Sequence, residues 1–100
     1  MKLFRQGDIL FKEIASIPKK AKKRKGLVVA EGEATGHKHE FTNPQVSLWE
    51  YDSKLYAQVP YPAEIIHPEH DRLIIEKGEY EIINEREFDY VENDLRKVVD

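Results

Sequence analysis

The sequence predicts an all-β fold, a small antiparallel barrel or sandwich formed by one domain over residues 1–100. Three observations predict it. Apolar residues recur mostly with a period of two, the apolar runs are short, and turn residues interrupt them about every ten positions. A chain of 100 residues has room for one hydrophobic core, and no linker or internal repeat divides it.

The elements follow in order. "DILFKEI" alternates Ile9 and Phe11 against Leu10, Lys12 and Ile14, and reads as a strand after the turn "QGD". Pro18 and the basic run Lys19 to Lys25 read as a loop. "GLVVAEGE" is a second strand interrupted by Gly32, and "HKHEFT" a third that ends at "NPQ". "VSLWEY" and "LYAQVP" form a hairpin around "DSK". "AEIIH" stops at Pro68, because the residue before a proline is pushed out of the helical region. "RLIIE" and "EYEIINE" flank "KG" as a further hairpin candidate. "FDYVENDLRKVVD" fits either a short C-terminal helix capped by Asp89 or a last strand through Val98 and Val99. Seven or eight short strands leave sheet edges to cover, and pairing two copies as a homodimer covers them economically.

Composition narrows the function. Charged residues make up 35% of the chain and apolar ones 40%, which is a globular and not a disordered balance. No apolar run is long enough to span a membrane and the N-terminus lacks a signal-peptide core, so the expected location is the cytoplasm. There is no cysteine, hence no disulfide, thiolate nucleophile or zinc finger. The net charge of −3 hides an asymmetry: six of the sixteen basic residues lie between Lys19 and Lys25, leaving ten against nineteen acids elsewhere. Such a chain lacks the broad basic face of a duplex-binding protein. The run is either a solvated loop or a positive rim that steers a small anion.

The chemistry rests on four histidines. In "TGHKHEF", His37 and His39 share one face of a strand, roughly 7 Å apart at ~3.3 Å per residue, with Lys38 and Glu40 on the other face. In "HPEH", His67 and His70 are held in a turn by Pro68. Two imidazoles spaced i, i+2 can ligate one metal ion, and "GHKHE" resembles the first histidine motif of the cupins. The cupin glutamate is missing, however, since Asn43 and Pro44 stand where it would fall, so no metal is expected. Acid/base chemistry asks less of the geometry. Cleavage of an RNA-type phosphodiester needs a base for the 2′-hydroxyl, an acid for the leaving 5′-oxygen and a cation for the phosphorane. Imidazole serves both proton roles near neutral pH, and Lys38, Arg5 and Arg86 are candidate cations. Equally, any of these histidines can be a half-exposed hydrogen-bonding residue on a polar strand.

Other signals are weaker. "RQGD" is a tight turn or else brings Arg5 and Gln6 to a phosphate or base. "EGEATG" lacks the spacing and lysine of a phosphate-binding loop. Trp49, Tyr51 and Tyr56 either stack bases or pack a hairpin on the core.

Taken together, "RQGDIL", "AEGEATGHKHEF", "HPEHD", "KGEYEI", "REFD" and "LRKVVD" resemble a family of small bacterial and phage proteins. That family is similar to the homodimeric ring nucleases of type III CRISPR systems, which open cyclic oligoadenylate messengers. The resemblance implies metal-independent cleavage, without a cofactor, to linear products ending in 2′,3′-cyclic phosphate. It implies Arg5, Gln6, His37 and His39 as site residues, with His67 and His70 beside them. A cupin-like metal enzyme and a non-catalytic phage binding protein are the alternatives.

Overall fold

A computed structural model describes residues 1–31 and 36–85. The chain is all-β, as the period-two pattern predicts, and its strands form two antiparallel sheets. They are β1 (Leu3–Gln6), β2 (Ile9–Ile14), β3 (Lys22–Arg24), β4 (Val28–Glu31), β5 (Lys38–Phe41), β6 (Ser47–Tyr51), β7 (Lys54–Val59), β8 (Ala63–His67), β9 (His70–Ile75) and β10 (Gly78–Asn84). One sheet has the order β1-β2-β10-β7-β6-β3, the other β4-β5-β8-β9. Neither closes into a barrel, so the sandwich is the form adopted. None of the helices among the described residues is long and apolar enough to cross a membrane. Arg86 and the "FDYVENDLRKVVD" segment, where a short helix was one expectation, lie outside the described residues.

Alternation explains the core. Ile9 and Phe11 on β2, Phe41 on β5, Leu48 on β6, Ala57 and Val59 on β7, Ile65 on β8, Ile75 on β9 and Tyr80 on β10 turn inward and are almost wholly buried. Phe11 and Phe41 meet edge to face across the two sheets at 5.9 Å. Burying Tyr80 is tolerated because its hydroxyl donates to the Glu76 carbonyl at 2.7 Å. The "DSK" hairpin forms as expected: β6 pairs with β7, and Asp52 and Ser53 take the positive φ angles of a two-residue turn whose twist suits a hairpin.

Three expectations need correction. "RQGD" is a turn only at its second half, because Leu3–Gln6 forms an edge strand paired with β2. The basic run is not all loop, because Lys22–Arg24 pairs with β6. "KG" does not join a hairpin: β9 pairs with β8, while β10 pairs with β2 and β7, so this turn carries the chain from one sheet to the other. The hairpin is instead β8–β9, closed by Pro68 and Glu69 with His67 opposite His70.

Candidate functional site

The four histidines converge at one end of the smaller sheet. The strand period turns His39 inward between exposed Lys38 and half-buried Glu40. The two-residue turn places His67 and His70 as cross-strand neighbours. Their rings lie 4.6 Å apart, and the His39 ring sits 4.3 Å from His67 and 5.8 Å from His70. His37 meets His67 edge to face at 5.7 Å. The cluster grades from the buried His39, 8% exposed, through half-buried His37 and His67 to the exposed His70. A solute therefore reaches the imidazoles from the hairpin side.

Gln6 fixes the chemistry of the deepest ring. Its amide donates to the Ile65 carbonyl at 2.9 Å and to the Asp71 carbonyl at 3.0 Å. These two carbonyls flank a register irregularity between Ile65 and His67, where the β8–β9 ladder is interrupted. With both amide hydrogens committed, Gln6 Oε1 can only accept, so His39 Nδ1, 2.9 Å away, must donate. Neutral His39 therefore carries its proton on Nδ1 and keeps a lone pair on Nε2. His67 is set the opposite way, because its Nδ1 accepts the Glu69 backbone N–H at 3.0 Å and its neutral proton belongs on Nε2. His37 Nδ1 lies 3.0 Å from Glu69 Oε1, an ion pair whenever that ring takes a second proton.

Electrostatics favour the neutral forms of His39 and His67. Burial, and after it the neighbouring His67 and His70, lowers His39 to about 4, with Asp8 pulling weakly the other way. Burial, then His70 and His37, also pushes His67 below the ordinary histidine range. Close approach depends on Gly7 as well. A Cβ there would stand 2.6 Å from His70 Nε2, and the glycine adopts a φ of 59°. Gln6 and Gly7 thus give "RQGD" a shared purpose, one orienting His39 and the other leaving space for His70.

The expected residues divide accordingly. His37, His39, His67, His70 and Gln6 come together. Arg5 does not join them, because alternation on β1 turns it away from Gln6, and it pairs with Glu85 at 2.5 Å. That hydrogen bond raises the Arg5 guanidinium and lowers the Glu85 carboxyl. Lys38 projects to the other face of β5, beside a shallow depression shared with Glu40, Ile66 and the edge of His67. Among the described residues no three His, Cys, Asp or Glu side chains form a metal-holding group, the imidazoles facing one another instead. The basic β3 lies at the far edge of the larger sheet from β1, five strand spacings or about 24 Å at ~4.8 Å each. Of the aromatic residues, Tyr56 is buried, Trp49 is half-buried with its N–H on Ser47 Oγ at 2.9 Å, and Tyr51 is exposed.

The sequence reading missed Gly7 and Glu69. Glu69 was visible as the acid inside a two-residue turn between histidines, whereas Gly7's neighbour lies 63 positions away in sequence. No curated protein and no solved structure matches the chain. A family profile described as Domain of unknown function (DUF8820) matches residues 5–85, most of the chain, and the protein belongs to that family.

Proposed function

We propose that the four-histidine cluster is an acid/base centre that cleaves an RNA-type phosphodiester without a metal ion. The observation that supports this best is the pair of opposed tautomers: His39 presents a lone pair on Nε2 beside rings that can carry donor hydrogens. His39 takes the proton of a 2′-hydroxyl as that oxygen attacks phosphorus. The bond from phosphorus to the 5′-oxygen breaks, and an imidazolium returns a proton to the leaving oxygen. His37, next to the Glu69 carboxylate, is the donor assigned here. The products are a 2′,3′-cyclic phosphate and a 5′-hydroxyl. In the absence of Arg5 and Lys38 from the cluster, the positive charge near the phosphorane comes from imidazolium itself.

The substrate is a cyclic oligoadenylate on the strength of the sequence resemblance, and the protein acts as a cytoplasmic homodimer in antiviral signalling on the same ground. A small ring suits a cluster that opens to solvent at His70, and exposed Leu3, Tyr61, Ile66 and Ile74 offer apolar surface for a second copy to cover. A second reading, a metal centre, draws on the same Gln6 contact, because a histidine that donates from Nδ1 and presents Nε2 is in the form a metal ligand takes.

One experiment separates these readings. Labelled cyclic tetra-adenylate is incubated with the protein and with His39→Gln, in EDTA and with added zinc or manganese. Cleavage in EDTA that falls ~100-fold or more in the variant supports the acid/base centre. Activity that needs the ion supports the metal centre, and no cleavage under either condition rejects both.

A further inference from the structure

The basic run is a second feature that the histidine cluster does not use. Six of the seven residues from Lys19 to Lys25 are cationic. Lys22, Lys23 and Arg24 form β3, the outermost strand of the larger sheet, and all three are exposed. The charge continues past both strand ends, in Lys19 and Lys20 before it and Lys25 after it. Covering a sheet edge against aggregation requires charges on the strand itself but none in the flanking turns. Among the described residues, the acid paired with this group is Glu50, which opposes Lys22 in register and lies 3.7 Å from Arg24.

Aromatic residues stand beside these cations. Trp49 is directly opposite Lys23 in the β3–β6 ladder, so the two share a face, whereas Lys22 and Arg24, opposite Glu50 and Leu48, alternate to the other one. Tyr51, two residues further along β6, falls on that face too and is 41% exposed. Lys19 and Ala21 border a hollow of about 210 Å³ against Trp49. Cations that follow a backbone, interleaved with rings on which bases can stack, are what an unpaired strand requires. A duplex hides its base faces and would find only the charge.

We propose that β3 and the adjoining face of β6 bind single-stranded nucleic acid, with Lys23 and the flanking Lys19, Lys20 and Lys25 on the phosphates and Tyr51 and the edge of Trp49 under the bases. This surface is separate from the histidine cluster and does not depend on what the cluster catalyses.

The test is fluorescence anisotropy of the full chain with a labelled single-stranded oligodeoxythymidylate of about twelve nucleotides, which has no 2′-hydroxyl for the histidine cluster to act on. Binding should weaken about 50-fold between about 50 and about 200 mM salt if about four phosphates are neutralised. Reversing Lys22, Lys23 and Arg24 to Glu should weaken it more than about tenfold. Because that change touches a strand, Lys19→Glu, Lys20→Glu and Lys25→Glu are reversed together as a second variant, expected to reduce both affinity and salt slope. Tyr51→Ala should weaken binding several-fold and leave the slope unchanged, as expected for lost stacking. The proposal is overturned by absent binding, by indifference to both charge reversals, or by equal affinity for duplex or polyglutamate.

Discussion

Gln6 Oε1 accepts the Nδ1–H of His39 at 2.9 Å, while the amide of the same side chain holds the Ile65 and Asp71 carbonyls. A single side chain on β1 thereby joins the two sheets, covers an interruption in the β8–β9 ladder and fixes the tautomer of the deepest histidine.

Gln6→Leu is expected to cost about 2–4 kcal/mol, because it strands a buried carbonyl, a partly buried one and a ring N–H at once. Denaturant unfolding measures this. Nitrogen NMR of the imidazoles should show His39 as the Nδ1–H tautomer in the parent and a mixed form in the variant. A parent spectrum with the proton on Nε2 would contradict the assignment.

Stability should fall on acidification across a window set by His39. Its folded value is lowered from 6.5 to about 4, so between these values the unfolded chain binds a proton that the folded one excludes. The contribution is therefore complete above pH 6.5 and lost as pH falls toward 4, at most roughly 3 kcal/mol. Unfolding free energy of the parent and of His39→Gln, followed against pH, should differ in slope in that window. Parallel curves would show that His39 titrates normally.

Glycine substitutions should separate steric from backbone effects. At Gly7 an added methyl meets His70 Nε2 at 2.6 Å and the φ is 59°, so Gly7→Ala should lose about 2 kcal/mol and displace His70. At Gly36 the φ is 70° but nothing lies within 4 Å of the new carbon. Gly36→Ala should cost about 1 kcal/mol and leave the histidine resonances in place. If both variants perturb the His70 resonance equally, contact with Gly7 is not what positions it.

For a cleavage reaction with His39 as base, the acid limb of kcat/KM should bend near 4 and not at neutrality. A limb at the ordinary imidazole value would assign the base to another of the four rings. EDTA should leave the profile unchanged.

A homodimer should sediment at twice 11.7 kDa at micromolar concentration. Charge at Ile66 and Ile74, the exposed apolar positions on β8 and β9, should yield the monomer without unfolding it. Monomer alone in the parent would reject this association.

Much of this architecture was written in local pattern. Period-two runs with turns marked the strands from Ile9, Val28, Lys38, Ser47 and Lys54, because alternation and turn chemistry act between neighbours. The same rule placed His37 and His39 on one side of a strand. What local pattern could not decide was which strands pair. "KG" looks like any tight turn, yet it leads from one sheet into the other, while the less obvious "HPEH" closes the hairpin. The short strands Leu3–Gln6 and Lys22–Arg24 carry no apolar alternation and exist because a neighbouring strand offers them hydrogen-bonding partners.

The sequence by itself determined the all-β class, the single core and the stock of four imidazoles. Tertiary structure alone decided that the imidazoles form one group, that Gln6 serves it from position 6 while Arg5 turns away, and that the basic run stands at the opposite edge of the sheet. The physical reason is that residue type and spacing fix which way a side chain leaves its own strand. What it meets there is set by the packing of strands distant in sequence, where burial and mutual repulsion, rather than imidazole's intrinsic chemistry, hold His39 neutral.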